Sequence, residues 1–303
     1  MNLEKDIEQF SNDFKISMNF NYSLKNHNWF NIGGKTKVFF KAETLNDLCK
    51  FMKLFGEKIN FFSLGAGSNI LIKDTGFDGV IIKLGKSFSN ISLLNDETII
   101  AGSAALDHQV SNFAKDNGIG GLEFLSCIPG SVGGGIRMNS GCYGTEFKDI
   151  LLSVQAIDKN GNILTIPSSK IKFDYRKNSL PKELIFLSAS LKGQKKTQKD
   201  IQSKINFLKE KKSETQPSQI KTGGSTFKNP KNQTQKKVWE LINEIIPKNK
   251  MFGDAAISDK HSNFFVNKKN ASYDQMKQLI DYVRLEIEKQ TGIKLELEIE
   301  IVG

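Results

Sequence analysis

The sequence predicts an α+β fold, because apolar runs of strand length alternate with segments whose apolar residues recur at helical spacing. Clear strand runs cover residues 61–64, 70–72 and 80–84, and glycine-containing turns separate them. A clear helix covers residues 44–55, with Thr44 as its N-cap. A chain of 303 residues is long enough for two or three domains.

The other elements follow from the same patterns. Gly118 is expected to close one helix, and the Lys-Asn-Gly turn at residues 159–161 is typical of a hairpin. The polar amphipathic segment 197–212 is predicted to be a helix that connects two domains. The remaining predicted elements are a strand at 38–42, a helix at 106–117, strands at 151–158, 162–166 and 184–191, helices at 236–246 and 272–290, and a closing strand at 294–302.

The composition is that of an ordinary globular protein, with a net charge of +10. Only three of the 43 basic residues are arginine and the lysines are scattered, so we expect anionic small molecules as partners and no nucleic acid. The N-terminal segment carries acids early, and no apolar run approaches the ~18 residues of a membrane span, so neither a signal peptide nor a membrane partner is expected. Three cysteines without a CxxC pair favour a reduced, cytoplasmic protein.

Two glycine-rich segments are candidate anion-binding loops, although a single glycine more often marks a plain turn. GAGSN at residues 65–69 lies between two predicted strands, where its backbone amides can converge on a pyrophosphate. Bulky side chains at positions 65 or 67 would block the approach of the pyrophosphate, which explains Gly65 and Gly67. IPGSVGGGIRMNSGCYG at 128–144 belongs to a stretch in which nine of 27 residues are glycine, and its GGG is expected to open a short helix. Neither loop has the GxGxxG spacing of a Rossmann domain.

Seven segments, in order and in spacing, resemble the UDP-N-acetylenolpyruvoylglucosamine reductase (MurB) family. They are WFNIGG (29–34), SLGAGSNILIKDTGFDGVII (63–82), GLEFLSCIPGSVGGGIRMNSGCYG (121–144), YRKNSL (175–180), QPSQIKTGGSTFKNP (216–230), AISDKHSNFFVN (256–267) and GIKLELEIEIVG (292–303). The resemblance implies a two-lobed FAD-binding domain of the vanillyl-alcohol-oxidase (PCMH) type, with lobes at 1–83 and 84–195, and then a smaller α/β substrate-binding domain at 196–303. Only 48 residues separate Arg176 from Ser225. This short spacing resembles the family's shorter form, which lacks a substrate-covering loop.

The same resemblance implies FAD and NADPH as cofactors and UDP-N-acetylglucosamine enolpyruvate as the substrate, reduced to UDP-N-acetylmuramate in peptidoglycan synthesis. NADPH would reduce FAD, and flavin N5 would pass a hydride to the enolpyruvyl methylene carbon, because no side chain donates hydride. The residues that the resemblance assigns to the cofactor are Gly65, Ala66, Gly67, Ser68, Asn69, Ile128, Pro129, Gly130, Ser131, Gly134, Gly135, Asn139 and Gly141.

Three residues are candidates for catalysis. Ser225 follows two glycines, a pattern that fits a presented hydroxyl or a loop serine bonded to its own backbone. Arg176 has the rigid fork that matches a carboxylate, and a structural ion pair is the alternative. Glu298 lies in an alternating segment whose acids share one face, a pattern typical of a solvated strand face. The family's motifs imply Ser225 as proton donor, Arg176 as charge stabiliser and Glu298 as a polarising group beside them.

For the substrate, the resemblance implies Asn229 as a ligand of the diphosphate or sugar, with Lys212, Lys260 and His261 as further candidates, and a plain surface charge is the alternative for each lysine. No histidine or cysteine spacing predicts a metal site. Three positions depart from the family's pattern: Cys127, Asn178 and Glu300 stand where relatives usually carry glycine, serine and arginine.

Two other functions are consistent with parts of the sequence. Another FAD-dependent oxidase or dehydrogenase of the same superfamily would share the glycine loops but not the YR, GGSTFKNP and terminal glutamate motifs. A nucleotide-sugar or nucleic-acid binding module would use the positive charge alone and would purify without flavin colour.

Overall fold

The structure is a computed structural model that describes residues 3–217 and 220–303, in which the chain forms two compact units. Unit 1 takes the chain up to Phe20 together with Lys37–Ala66 and Gly79–Lys212. Unit 2 takes Asn21–Thr36, Gly67–Asp78 and Ser213–Gly303. Residues 218 and 219 of the QPSQIKTGGSTFKNP segment lie outside the described residues, as do the first two residues of the chain.

The described residues form eight α-helices and 21 β-strands. The helices are α1 (Leu3–Phe14), α2 (Leu45–Phe55), α3 (Asp107–Asp116), α4 (Val132–Arg137), α5 (Phe147–Ile150), α6 (Gln198–Thr215), α7 (Val238–Ile245) and α8 (Tyr273–Thr291). The strands are β1 (Met18–Ser23), β2 (Lys35–Ala42), β3 (Phe61–Ser63), β4 (Ile70–Ile72), β5 (Phe77–Leu84), β6 (Ile91–Asn95), β7 (Thr98–Gly102), β8 (Ile119–Gly120), β9 (Gly141–Cys142), β10 (Thr145–Glu146), β11 (Leu151–Ile157), β12 (Ile163–Pro167), β13 (Phe173–Asp174), β14 (Lys177–Asn178), β15 (Ile185–Lys192), β16 (Gln194–Lys195), β17 (Thr222–Ser225), β18 (Met251–Phe252), β19 (Ala255–Ile257), β20 (Phe264–Asn267) and β21 (Glu300–Val302).

The first sheet has the strand order β1-β2-β5-β3, with β3 and β5 parallel. Helix α2 begins after the predicted N-cap Thr44, whose hydroxyl accepts a hydrogen bond of 3.1 Å from a backbone amide of the first turn. Phe51 and Phe55 on the apolar face of α2 pack against Phe10 of α1, and Phe51 also packs against Phe40 of β2. These rings, with centroids 4.7–5.9 Å apart, form the aromatic centre of one core of unit 1.

The second sheet of unit 1 is antiparallel throughout, in the order β12-β11-β15-β7-β6. The hairpin β11–β12 has the predicted turn, with Gly161 in the left-handed region at φ 76°. Helix α4, which carries the GGG sequence, packs on this sheet through the buried Ile136. A Cβ atom at Gly135 would lie 2.2 Å from Cε2 of the buried Phe147. Glycine at 135 therefore lets α4 approach the core.

Unit 2 contains the antiparallel sheet β17-β20-β19-β18 and the helices α7 and α8. Helix α8 begins at a capping box on Ser272 and ends at Gly292, which has a φ of 71°. Phe227 and Phe265 meet edge to face at 5.7 Å in the core of this unit. Strand β21, near the C-terminus, pairs in parallel with β4, which directly follows GAGSN.

Most predicted elements are confirmed, with shifts at their ends, but the closing strand at 294–302 is wrong in its first part. Only Glu300–Val302 forms a strand, and Leu297 makes one isolated bridge with Phe227. Alternation of apolar and charged residues indicated a full ladder there, whereas the segment has too little continuous pairing for one. No prediction covers helices α1 and α5 or strands β1, β6–β10, β13, β14 and β16–β20.

The buried apolar residues that the structure describes form three clusters, two in unit 1 and one in unit 2. The division into domains at 1–83, 84–195 and 196–303 stays a prediction. Within residues 3–217 and 220–303, no helix combines the length and apolar character that a membrane crossing requires.

Neighbouring glycines of α4 give a matched test of this packing. We expect Gly135→Ala to lower the free energy of unfolding by about 1–3 kcal/mol, because the methyl group collides with Phe147. Gly134→Ala is expected to leave stability within about 0.5 kcal/mol or to raise it, because the nearest contact of its Cβ is Ser131 Oγ at 3.5 Å and alanine favours helix. Urea denaturation measures both. Equal losses in the two variants would contradict the packing account.

Candidate active site

The two glycine-rich loops approach each other within unit 1. A Cβ atom at Gly65 would lie 2.8 Å from Ser131 Oγ and 4.0 Å from the Gly134 backbone nitrogen. On its other side, the Gly65 carbonyl accepts a hydrogen bond of 2.8 Å from Lys83 Nζ. Burial lowers the pKa of Lys83, and the nearby charge of Lys41 lowers it further. The space left by glycine at position 65 therefore lies next to the loop that begins α4, and its predicted approach to a pyrophosphate stays a prediction.

Backbone amides in these loops lack partners in the described part of the chain. The N–H groups of residues 65–69 donate to no described residue, and neither do those of Gly130, Ser131 and Gly134. The neighbouring amides of Val132 and Gly133 are paired, with the carbonyls of Ala105 and Ser103. Unpaired donors clustered at glycine-rich turns are the feature that binds phosphate groups through the main chain.

Three buried hydroxyl groups next to these loops also lack partners among the described residues. They are the side chains of Ser103, Ser131 and Ser140. Ser131 Oγ lies beside the Cα positions of Gly65 and Gly134, and Ser103 packs against Gly133, where a Cβ atom would lie 3.1 Å from Ser103 Cβ. Buried hydroxyl groups normally have a partner, so these groups suit a polar ligand such as a flavin nucleotide. The donors and the glycine cradle fit FAD.

Arg176 lies in the two-residue turn between β13 and β14, and it adopts the left-handed region at φ 58°. Its guanidinium donates to the Gly141 carbonyl at 3.2 Å and lies 5.0 Å from the centre of the Tyr175 ring. The amide of Asn178, at the other end of the turn, donates to the carbonyls of Ile136 and Arg137 at 2.8 and 3.0 Å. The departure at Asn178 thus satisfies the C-terminal carbonyls of α4 and fixes the arginine turn to the glycine loop.

Asn139, which the resemblance assigns to the cofactor, makes several hydrogen bonds within the protein. It is buried, and its amide donates to Glu146 Oε2 and to the Asp174 carbonyl at 3.0 and 3.1 Å. Its carbonyl oxygen accepts from the Lys148 amide. These bonds join the glycine loop to the Arg176 turn, so the side chain positions the loop, and its predicted contact with a cofactor stays a prediction.

Some predicted glycines are explained by protein packing. A Cβ atom at Gly67, which has a φ of 71°, would lie 2.2 Å from the His27 carbonyl oxygen within unit 2. At Gly141 it would lie 2.3 Å from the Thr145 carbonyl oxygen within unit 1. The sequence suggested that Gly67 leaves space for a ligand. Backbone packing and the left-handed conformation also require glycine at this position.

In unit 2, the GGSTFK loop pairs with the C-terminal segment. The Glu298 amide donates to the Thr226 carbonyl at 2.9 Å, and the Lys228 amide donates to the Glu296 carbonyl at 2.9 Å. Ser225 directly precedes Thr226, so the structure brings the backbones of two predicted catalytic residues together. Arg176 belongs to unit 1. That all three side chains meet stays a prediction.

Asn263 is a residue of this site that the sequence prediction missed. Its side chain both accepts from the Phe227 amide at 3.0 Å and donates to the Phe227 carbonyl at 2.8 Å, and its own carbonyl accepts from the Thr226 amide at 2.7 Å. It holds the loop that carries Ser225. Asn263 lies in the AISDKHSNFFVN segment, in which only Lys260 and His261 are predicted ligands.

Asn69 connects GAGSN to the same C-terminal segment. Its amide donates to the Glu298 carbonyl at 3.0 Å, and its carbonyl accepts from the Glu300 amide at 2.9 Å. This geometry places the last residue of GAGSN beside the predicted catalytic glutamate. The backbone contact of Glu300 is independent of its side chain, and nothing in the structure explains the choice of glutamate there.

The predicted substrate ligands lie in several places. Asn229 Oδ1 accepts from the amide of Val238, the first residue of α7, at 3.1 Å, and Lys260 Nζ donates to the Ser213 carbonyl. His261 packs on Phe264 at 4.7 Å, and burial lowers its pKa. In unit 1, Lys212 Nζ donates to the Cys127 carbonyl at 2.7 Å. Their roles toward a substrate stay predictions. Across the residues that the structure describes, no cluster of histidine, cysteine and acidic side chains is arranged to hold a metal ion.

Comparisons with known proteins agree across the chain. Residues 36–167 match the family described as "FAD binding domain", and residues 216–302 match "UDP-N-acetylenolpyruvoylglucosamine reductase, C-terminal domain". The protein named UDP-N-acetylenolpyruvoylglucosamine reductase from Pelagibacter ubique is 58% identical to this chain, over 98% of this chain and 99% of that protein. The protein of the same name from Rickettsia bellii is 43% identical, over 93% of this chain and 92% of that protein. The crystal structure of the UDP-N-acetylenolpyruvylglucosamine reductase from Thermus caldophilus superposes with a TM-score of 0.81 at 28% identity, covering 95% of this chain and 99% of that one. The predicted α+β class, with an FAD-binding domain and a second, C-terminal domain, is confirmed.

Asp107 gives a test of the buried environment behind the glycine loop. The residue is fully buried, neither carboxylate oxygen has a partner among the described residues, and a Cβ atom at Gly130 would lie 2.8 Å from Asp107 Oδ2. Burial raises the pKa of Asp107 well above its ordinary value of 3.8. Its contribution to stability is therefore present below pH 3.8 and is lost as the pH rises through the folded-state pKa.

We therefore expect Asp107→Asn, which cannot ionise, to gain stability relative to the unmodified chain as the pH rises from about 5 to about 8, by at most ~1.4 kcal/mol per pH unit. Urea denaturation across this range measures the difference. Asp116→Asn, at the exposed end of α3, controls for the loss of a negative charge. A difference that stays constant with pH would contradict the assignment.

Proposed function

The chain belongs to the UDP-N-acetylenolpyruvoylglucosamine reductase family, and we propose that it reduces UDP-N-acetylglucosamine enolpyruvate to UDP-N-acetylmuramate with FAD and NADPH. This step supplies a precursor for peptidoglycan. The observation that carries the proposal is that relatives with this name match the chain over nearly its whole length, including the FAD-binding region and the C-terminal domain. A cytoplasmic location, with both nucleotide substrates at hand, is part of the proposal.

The residues of unit 1 that would hold FAD are Gly65 and Ala66 of the first glycine loop and those of the loop that begins α4. The unpaired amides of Gly65, Ala66, Gly130, Ser131 and Gly134 support this, because they offer hydrogen bonds to phosphate oxygens that no protein group takes up. When bound, FAD would accept a hydride from NADPH and donate one to the substrate, chemistry that no side chain supplies. The positive charge of the chain favours the approach of both anionic substrates.

Ser225 is the proton donor of the proposal. It follows Gly224, which has a φ of 78° and, apart from its chain neighbours, no atom of a described residue within 4 Å of its Cβ position. The serine is half-buried at the end of β17, and the bonds of Thr226 to Asn263 and Glu298 fix the backbone directly after it. A hydroxyl group on a fixed backbone beside an open position is well placed to protonate a carbon of a bound substrate.

Arg176 and Glu298 would act on the substrate's carboxylate and its developing charge. The turn that presents Arg176 is fixed by the Asn178 and Asn139 hydrogen bonds, so the guanidinium needs little reorganisation to bind a carboxylate. The backbone of Glu298 is fixed by hydrogen bonds to Thr226 and Asn69. Rigid presentation of both groups supports a role in stabilising charge.

Ser225→Ala separates the two halves of the proposed reaction. We expect NADPH to bleach the flavin of this variant at the unmodified rate, while reoxidation by UDP-N-acetylglucosamine enolpyruvate slows by about 10²–10⁴-fold, because only the second half needs the proton. Stopped-flow absorbance at the flavin bands measures both rates. Ser225→Cys, which keeps a proton-bearing side chain, is expected to retain part of the second rate. Reoxidation of Ser225→Ala at full rate would remove Ser225 from the role.

Gly134→Ala tests the cofactor loop without disturbing the core. The added methyl group would occupy the space beside Ser131 that FAD is proposed to use, at a cost of about 1–3 kcal/mol. We therefore expect the dissociation constant for FAD to rise roughly tenfold to 100-fold. Fluorescence titration of the flavin-depleted protein measures it, and the urea midpoint establishes that the variant is folded. Unchanged affinity would place FAD elsewhere.

A further inference from the structure

Two cysteines that are 15 positions apart in sequence meet in unit 1. Cys127 ends the 3₁₀ turn Glu123–Cys127, and Cys142 belongs to β9, which packs against that turn. The Cys142 thiol donates a hydrogen bond of 3.3 Å to the Phe124 carbonyl oxygen of the same turn, and the two thiols are close enough to shift each other's pKa. Cys127 is buried and Cys142 is half-buried. Neither residue takes part in the proposed reduction.

The surroundings of the pair favour a thiolate at Cys127. The neighbouring Cys142 thiol lowers the pKa of the Cys127 thiol against the effect of burial, and the Ser126 hydroxyl and the charges of Lys212 and Lys209 lower it further. Interaction with the Cys127 thiol and burial raise the pKa of Cys142. Lys212 is held there by its bond to the Cys127 carbonyl. A stabilised thiolate beside a second thiol is the arrangement of redox-sensitive pairs.

The two cysteines flank the candidate cofactor loop. Residues 128–141 between them include Ser131, Gly134 and the whole of α4. Gly141, directly before Cys142, accepts the hydrogen bond from Arg176. A covalent bond between the two sulfur atoms would therefore close a ring around this loop and act on the carbonyl that Arg176 contacts.

We propose that Cys127 and Cys142 are an oxidisable thiol pair that hydrogen peroxide converts to a disulfide enclosing the loop at residues 128–141. The Cys127 thiolate attacks one peroxide oxygen, the O–O bond breaks, and Cys127 becomes a sulfenic acid as hydroxide leaves and takes up a proton. The Cys142 sulfur then attacks the Cys127 sulfur, the S–O bond breaks, and the proton of Cys142 leaves with the hydroxyl as water. In sum, two thiols and one peroxide give one disulfide and two waters.

Closure of this ring is expected to slow turnover, and this expected effect rests on the proposed function. A shift of about 1 Å at a substrate-positioning group can cost up to about 100-fold in rate. We expect the oxidised protein to reduce its substrate roughly tenfold more slowly than the reduced protein, and dithiothreitol to restore the rate. Formation of the disulfide does not depend on which substrate the protein uses.

The test uses the flavin-loaded protein, first reduced with dithiothreitol, exchanged into buffer without reductant, and treated with hydrogen peroxide. Alkylation under denaturing conditions is expected to label Cys49 alone, with the intact mass before alkylation lower by about 2 Da. Arg137 lies between the paired cysteines, so trypsin leaves two peptides joined by the disulfide. Cys49→Ser is the matched control and is expected to form the same cross-link, whereas Cys142→Ser is expected to form none.

A cross-link that involves Cys49, a cross-link between two chains, or oxidation of Cys127 to sulfinic acid without a cross-link would overturn the proposal. A 127–142 cross-link that leaves the rate unchanged would overturn its effect on turnover. Absence of activity in the fully reduced protein would count instead against the proposed function, because the mapping of the disulfide is independent of it.

Discussion

The structure depends on a set of main-chain amides that its own fold leaves unpaired. In unit 1, the N–H groups of Gly65, Ala66, Gly130, Ser131 and Gly134 have no partner among the described residues, although those of Val132 and Gly133 are paired. Such a donor costs about 1–3 kcal/mol if it loses water without gaining an acceptor. A ligand that provides hydrogen-bond acceptors removes this cost. The match of residues 36–167 to an FAD-binding domain indicates that this ligand is FAD.

Side chains around these loops donate hydrogen bonds to nearby carbonyl groups. Because those carbonyl groups are already paired, they do not compete for the amides of the loops. Asn178 takes the last carbonyls of α4, Arg137 takes those of Leu180, Pro181 and Leu184, and Lys83 takes that of Gly65. In unit 2, Asn263 binds both the amide and the carbonyl of Phe227, close behind Ser225. Asparagine and cationic side chains in unit 1, and an asparagine in unit 2, therefore hold the backbone that carries the groups proposed to act on ligands.

The sequence predicted the elements better than it predicted the reasons for individual residues. Thr44, Gly118 and the Lys-Asn-Gly turn have local signals, since capping and left-handed turns depend on a few adjacent residues. The roles of Gly67, Gly135 and Asn139 depend on the His27 carbonyl, the Phe147 ring and the Asp174 carbonyl, which are distant in sequence and follow from no local pattern. The closing strand was overestimated for the same reason, because alternation does not reveal whether a partner strand is present.

In the proposed reaction, the chain passes electrons from NADPH through FAD to an enolpyruvyl sugar nucleotide. A single turnover tests it most directly: flavin-loaded protein is reduced with one equivalent of NADPH without oxygen and is then mixed with UDP-N-acetylglucosamine enolpyruvate. We expect the oxidised flavin spectrum to return as one equivalent of UDP-N-acetylmuramate, about 2 Da heavier than the substrate, is detected by mass spectrometry. Flavin that stays reduced, or that reoxidises without this product, would contradict the account.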